Sequence, residues 1–300
     1  MPHVIELADD AVLGLAEAAD ALAAGCFDPA DPDNLAHHAR LLRRLGNNRD
    51  FLGDLMVAEL AARHRAEPYD DAYGPQAIVL ARPHGANCFL RANIWPGPAD
   101  HMMRASGGDA FVYGMPHDHN FSFLTLGYFG PGYWSDYYEF DYDAVAGWRG
   151  EPVALRSTGR HRLDPGKLQL YRAHVDVHTQ LPAEALSVSV NIMHSHGSQA
   201  WLDQYRFDPD KGEIGAILSN GASEAFLRIA VGLAAPEAID LAERFARTHP
   251  SDRMRLHALD ALASVADGPA ARDALWARAE NAGSRLVAME AKTRRRALAA

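Results

Sequence analysis

The sequence predicts an α+β protein in which an antiparallel β-barrel or sandwich is flanked by helices on both sides. Three observations support this prediction. Strand-like runs fill the chain between about residues 75 and 207, turns rich in Gly and Pro separate them, and no helical stretch connects them. Because parallel strands need crossover connections of about a dozen residues or more, usually helical, we expect these strands to pair antiparallel.

The first predicted region, residues 1–70, is helical. It is rich in Ala and Leu, and its apolar residues recur at helical spacing. Gly25, Pro29 and Pro32 separate a first helix from a second one, and Asn34 is predicted to be the N-cap of the second helix.

The second predicted region, residues 71–215, contains the strands. Thirteen of the 26 aromatic residues of the chain lie between Phe111 and Trp148. The strand-like runs are Gln76–Leu80, Cys88–Trp95, Phe121–Leu126, Lys167–Tyr171 and Leu186–Met193.

The third predicted region, residues 220–300, is a helical domain with short connections. Ser251 and Pro269 are typical of helix starts. Because short connections make neighbouring helices pack antiparallel, the region resembles the paired helices of HEAT-type repeats. We expect this HEAT-like domain to supply no metal ligand.

Composition excludes several classes of protein. The chain has 300 residues, of which 48% are hydrophobic and 23% charged, as in globular proteins. No apolar run approaches the ~20 residues that cross a bilayer, so we expect no membrane association. The net charge of −10 argues against nucleic-acid binding through phosphate contacts. Cys26 and Cys88 form no disulfide framework, which predicts a cytoplasmic protein.

Fifteen histidines include two that suggest a metal site. His117 and His119 precede an apolar strand-like run. Residues i and i+2 of an extended strand project from the same face, so both imidazoles are expected to reach one ion. The alternative is a pair of surface histidines at a sheet edge. A second pair, His194 and His196, lacks a following apolar run and is interpreted as a loop at a strand end.

The spacing of His117, His119, Phe123 and Gly130 resembles the first motif of the cupin barrels, in which the residue at position 123 is usually a glutamate ligand. A cupin site without that glutamate has three histidines and resembles the cysteine dioxygenase branch. The run Phe89–Gly97 is similar to the strand and Gly-rich loop that precede the histidines in that branch. The resemblance covers about 130 residues and implies a cupin-type barrel.

The third ligand that this resemblance implies follows the turn at Pro165 and Gly166 and the next strand. We favour His178, because it lies deeper in a Val-rich stretch at nearly the family's distance from Tyr171. His174 is the alternative third ligand.

The substrate side of the site departs from that family. The family's last strand carries a Ser-x-His-x-Tyr motif, and this chain has neither that histidine nor that tyrosine. Tyr128 is a candidate replacement for the tyrosine. An arginine on an early strand holds the substrate carboxylate in the family, and Arg82 and Arg91 are the candidates here. An exposed salt-bridging role is the alternative for both arginines.

Three neutral imidazoles leave a divalent metal up to three open positions for substrate and dioxygen. The resemblance implies Fe(II) with O2 as co-substrate, and Zn, Mn and Ni are the alternatives. We therefore expect a mononuclear non-haem iron oxygenase of the cupin type, acting on a thiol-, amino-acid- or peptide-like substrate. The alternatives are a redox-neutral metal-dependent cupin (an isomerase, lyase or hydrolase) and a non-catalytic cupin binding module whose HEAT-like tail docks a protein partner.

Overall fold

A computed structural model of the chain describes residues 1–63 and 75–299. The chain divides into two units. The first unit comprises Met1–Asp141 and Ala154–Gln199, and the second comprises Tyr142–Val153 and the chain from Ala200 onward. The predicted boundary between residues 70 and 71 lies outside the described residues.

The helices of the first unit begin where the sequence supplies capping groups. α2 starts at Pro32 because the side chain of Asp31 accepts hydrogen bonds from the backbone N–H groups of Asp33 and Asn34. The prediction that Asn34 caps this helix is wrong, since its side-chain oxygen instead accepts the N–H of Asp28 at 2.8 Å. The helices of this unit are α1 Leu15–Ala23, α2 Pro32–Asn47, α3 Phe51–Arg63 and α4 His101–Ser106.

The strands of the first unit form two sheets, and their pairings are antiparallel as predicted. The strands are β1 His3–Val4, β2 Ala77–Ala81, β3 Cys88–Trp95, β4 Phe123–Phe129, β5 Tyr133–Glu139, β6 Arg156–Leu163, β7 Leu168–Tyr171, β8 Asp176–Gln180 and β9 Ser187–His194. The larger sheet has the order β1-β7-β4-β9-β3-β2, and the smaller sheet has the order β6-β5-β8.

The two faces of the six-stranded sheet bury different partners. Alternate apolar residues project from one face, here called the helix face, and pack on the N-terminal helices. This core includes Leu22, Leu42, Leu45, Phe51, Leu90, Leu124, Leu126, Leu168 and Ile192. The opposite face, here called the inner face, packs on the three-stranded sheet. Phe123, Tyr171 and Met193 meet Tyr137 there, and the tilted rings of Trp95 and Tyr133 have centroids 4.2 Å apart.

This arrangement is a sandwich, and the closed cupin-type β-barrel is not found within the described residues. After β4 the chain changes sheets through Gly130-Pro131-Gly132, and β5 then pairs with β6 and β8. Gly130 and Gly132 have φ values of 76° and 80°. A Cβ on Gly132 would lie 2.0 Å from the carbonyl oxygen of Leu163, so the turn requires glycine there.

The second unit contains a hairpin and five helices. Ser251 caps α7 as predicted, since its hydroxyl accepts the N–H of Met254. The helices surround a core of small side chains and Trp276, and the resemblance to HEAT-type repeats stays a prediction. None of the described helices combines the length and apolar composition that crossing a bilayer requires. The elements are β10 Tyr205–Asp208, β11 Glu213–Ile217, α5 Ala222–Gly232, α6 Ala238–Thr248, α7 Asp252–Val265, α8 Gly268–Ala279 and α9 Arg285–Ala299.

Candidate metal centre

A single backbone bridge aligns two of the predicted histidines. The N–H of His117 donates to the carbonyl of His178 at 3.0 Å, and the N–H of His178 donates to the carbonyl of His117 at 2.9 Å. This antiparallel bridge places the two residues directly opposite each other. His119 follows two residues later, and its ring centroid lies 4.9 Å from that of His117. The chain therefore brings three imidazoles together from two separate segments.

The Nε2 atoms of the three rings converge. Nε2 of His178 lies 3.1 Å from Nε2 of His119 and 3.2 Å from Nε2 of His117. Nitrogens that share one ion at bond lengths of about 2.0–2.1 Å and angles of about 90–110° are about 2.8–3.4 Å apart. The three histidines are the one group of potential ligands found among the described residues, with all ligand atoms within 4.8 Å of one another.

A hydrogen bond at the far side of the His117 ring favours its ligating tautomer. Nδ1 of His117 lies 2.8 Å from the carbonyl oxygen of Met115, to which an Nδ1–H donates. Nε2 of that ring then keeps its lone pair for a metal. The side-chain nitrogen of Gln180 lies 3.1 Å from Nδ1 of His178. The same nitrogen lies 3.2 Å from Nε2 of His178, so this carboxamide contacts the ring without selecting one tautomer.

Burial keeps the three rings neutral, which is the form that binds metals. Burial lowers the pKa of His117 to about 4. Burial also lowers the pKa of His178, and the neighbouring His117 adds to the effect. The pKa of His119 is lowered by loss of water, then by His117, His178 and Arg91. At neutral pH the cluster therefore presents lone pairs without first having to release protons.

Aromatic side chains close one side of the cluster. The ring of Phe123 lies 5.1 Å from that of His119 and stacks on Tyr171 at 4.5 Å, where it is 6% exposed. Tyr171 in turn lies 4.8 Å from His178, and its hydroxyl is 2.8 Å from that of Tyr137. A packed phenyl ring therefore borders the three imidazoles on this side.

The other predicted histidines lie outside this cluster. His174 has a left-handed backbone, with φ at 60°, and its N–H donates to the carbonyl of His119 at 2.9 Å. Its ring does not belong to the convergent group within the part of the chain that the structure describes. The ring of His194 lies 5.6 Å from that of Phe27, and Nδ1 of His196 is 2.7 Å from the hydroxyl of Ser198.

The three predicted substrate-side residues have different locations. Arg91 alternates with the helix-face residues Leu90 and Ala92, so it projects from the inner face, near enough to His119 to affect that ring electrostatically. Arg82 is exposed, with its guanidinium carbon 4.7 Å from the ring centroid of Phe89.

Tyr128 lies on the wrong side of the sheet for a role at the cluster. Its ring packs on Phe51 in the helix-face core, and its hydroxyl donates to the carbonyl of Asn48 at 2.8 Å. The side-chain alternation of β4 explains this placement, because Phe123 and Tyr128 differ by an odd number of positions and so face opposite ways. The structure therefore places Tyr128 on the helix face, away from the histidine cluster.

Sequence reasoning missed two glutamines near the cluster. Gln180 contacts His178, and Gln169 is fully buried on the inner face. The sequence Leu168-Gln169-Leu170 carries no signal of this burial, because apolar and polar residues alternate in the same way in any strand with one solvated face.

Comparison of the sequence with known protein families finds no match, and comparison with curated proteins finds no relative.

Cupin proteins are among the solved structures that align with part of the chain. A hydroquinone 1,2-dioxygenase in complex with Cd²⁺ and 4-hydroxybenzonitrile is 10% identical, with a TM-score of 0.26 over 46% of this chain and 71% of the other. A salicylate 1,2-dioxygenase from Pseudaminobacter salicylatoxidans is 11% identical, with a TM-score of 0.26 over 48% of this chain and only 33% of the other. A cupin-2 domain from Rhodospirillum rubrum is 13% identical, with a TM-score of 0.24 over 59% and 84%. Likenesses of this size assign neither a family nor an activity to the chain.

Proposed function

We propose that His117, His119 and His178 hold one divalent metal ion and that the chain is a mononuclear non-haem iron oxygenase of the cupin type. The observation that supports this proposal is the convergence of three neutral Nε2 atoms at 3.1 and 3.2 Å. The sequence resemblance to the three-histidine cysteine dioxygenase branch favours Fe(II), with O2 as co-substrate. The proposed substrate is a thiol, an amino acid or a peptide.

The residues around the cluster have different roles in this proposal. The three imidazoles hold the ion, and the carbonyl of Met115 fixes the ring of His117 through Nδ1. Phe123 and Tyr171 exclude water from one side and keep carboxylates away from the ion. A bound Fe(II) supplies the electron-transfer chemistry that dioxygen requires. With three neutral ligands, the ion keeps its full charge to bind an anionic substrate group.

The alternative is redox-neutral chemistry. Imidazole ligands also suit Zn and Ni, and Mn is a further alternative; each would act as a Lewis acid on a substrate oxygen. The chain would then be an isomerase, lyase or hydrolase.

Metal analysis and oxygen uptake distinguish these functions. The full chain is purified without oxygen, its metals are measured, and it is loaded with Fe(II) or Zn(II) before screening thiols, amino acids and peptides. The proposal predicts oxygen uptake that needs iron, is abolished in His178→Ala and persists in His196→Ala. Turnover with Zn(II) in the absence of oxygen would establish the redox-neutral alternative. A chain that binds no metal under either condition would contradict both and favour a binding module.

A further inference from the structure

A row of polar side chains crosses the inner face beside the three histidines. Gln169 on β7 is paired with Thr125 on β4, Thr125 with Asn191 on β9, and Asn191 with Arg91 on β3. Side chains directly opposite on neighbouring strands lie about 4.5–5.5 Å apart at Cβ. The row is therefore continuous across four strands, and Asn93 lies two residues beyond Arg91 on the same face.

The carboxamide and hydroxyl side chains on this part of the inner face are buried although they are polar. We call Asn93, Thr125, Gln169 and Asn191 the amide band. Gln169 is 0% exposed, and within the described residues neither its Nε2 nor its Oε1 has a hydrogen-bond partner. Oδ1 of Asn93, in a residue that is 9% exposed, likewise has none there. Buried carboxamides without partners destabilise a protein, so a purely structural role would favour an apolar residue at position 169.

The amide band is next to the histidine cluster. The neighbouring row of the same face contains Phe123 and Met193, two residues further along β4 and β9. Phe123 contacts His119, and Arg91 at the end of the band affects the same ring electrostatically. The amide band therefore lies one row from residues that contact the histidine cluster, and Phe123, Tyr171 and Met193 form the row between them.

We propose that the amide band is the substrate-binding subsite of the three-histidine centre, and that it recognises a neutral group that both donates and accepts hydrogen bonds. This inference rests on the proposed metal function for the identity of the site. A primary carboxamide offers two donors and an acceptor and carries no charge. A hydroxyl or a carboxamide of the ligand satisfies both edges of Gln169 at once, which a group that only accepts cannot do.

The first test needs no ligand. Gln169→Met keeps the length of the side chain and removes the carboxamide without a partner, so the subsite predicts that thermal stability of the full, metal-free chain is unchanged or raised. Gln76→Met is the matched control, because Nε2 of Gln76 donates to the carbonyl of Phe111 at 2.6 Å, and this variant is expected to be less stable. A loss of stability in Gln169→Met as large as in the control would overturn the proposal.

The second test measures binding directly. Glycerol serves as the hydroxyl probe, propionamide as the carboxamide probe, and trimethylamine oxide as a probe that only accepts. Saturation-transfer NMR on the full chain, with and without Zn(II), is expected to detect glycerol or propionamide and to show about tenfold weaker binding to Gln169→Met, but not to Gln76→Met. Binding of glycerol would indicate a polyol-like ligand, and binding of propionamide would indicate an amide-bearing ligand.

Three results would contradict the subsite. The first is that a probe binds equally to wild type and Gln169→Met, and the second is that trimethylamine oxide alone binds. The third is that neither glycerol nor propionamide binds. The proposed metal function fails separately, if Zn(II) does not bind to the wild-type chain. Probe binding to the amide band in the metal-free chain would survive that result.

Discussion

The helix face and the inner face of the same six-stranded sheet are both largely buried, but the helix face is apolar and the inner face carries polar side chains. The helix face of β4 presents Leu124, Leu126 and Tyr128 to the N-terminal helices. The inner face presents Phe123, which contacts the histidine cluster, and Thr125, which belongs to the amide band. An apolar face stabilises the fold by removing carbon from water. Burying polar groups on the other face lowers the stability of the fold. We expect such groups where they bind a metal ion or a ligand.

The largest effect that this comparison predicts comes from the histidines. Replacing His117, His119 or His178 by Ala should lower metal affinity by more than the roughly 10–100-fold expected for a residue that only supports a ligand. His194→Ala and His196→Ala should keep the metal, since their rings lie outside the cluster. Isothermal titration with Zn(II) measures both sets, and equal affinities in the two sets would place the metal elsewhere.

The next effect belongs to the helix face. Leu124→Ala should lower the free energy of unfolding by about 2–5 kcal/mol, because a fully buried side chain leaves a cavity. Its metal stoichiometry, measured on the folded variant, should stay that of the wild type. Denaturant unfolding and metal analysis on the same sample check the pair of results. A folded variant without metal would show that the two faces are coupled.

A smaller effect is expected at Gln180. Gln180→Leu removes the carboxamide beside Nδ1 of His178 and should weaken metal binding about 10–100-fold without abolishing it. Gln76→Leu is the control, because its carboxamide contacts Phe111 instead of a histidine. Competition with a chelator of known affinity measures the difference. Unchanged affinity in Gln180→Leu would show that His178 is oriented by its backbone bridge alone.

The smallest effect is expected at Tyr128. Tyr128→Phe removes the hydrogen bond to Asn48 and should cost about 1 kcal/mol of stability. Because the hydroxyl lies on the helix face, metal affinity and any oxygen uptake should not change. A Tyr128→Phe chain that is stable but inactive would return this residue to the site.

The sequence predicted those parts of the site that depend on local spacing. The i, i+2 relation of His117 and His119 and the periodicity of the strands are local, and the antiparallel sheets with flanking helices follow from them. The sandwich form was one of two alternatives. Sheet closure could not be decided, because it depends on where Gly130 and Gly132 direct the chain, and that is set by contacts with Leu163 and Leu186.

Residues that meet across strands were harder to predict. Gln169, Thr125 and Asn191 form one row only through the register of three strands that are distant in sequence. Tyr128 lies on the helix face because its position differs from that of Phe123 by an odd number of residues. Long-range register was therefore the missing information for this row, whereas the face of Tyr128 depends on local parity.

X-ray absorption at the iron K-edge of the full chain, loaded with Fe(II) without oxygen, tests the central claim most directly. The account predicts one iron per chain with outer-shell scattering from three imidazoles and Fe–N distances of about 2.0–2.2 Å, by analogy with other imidazole sites. The imidazole scattering should decrease in His178→Ala and stay unchanged in His196→Ala. Iron bound only by oxygen or sulfur, or an identical spectrum in His178→Ala, would contradict a three-histidine centre.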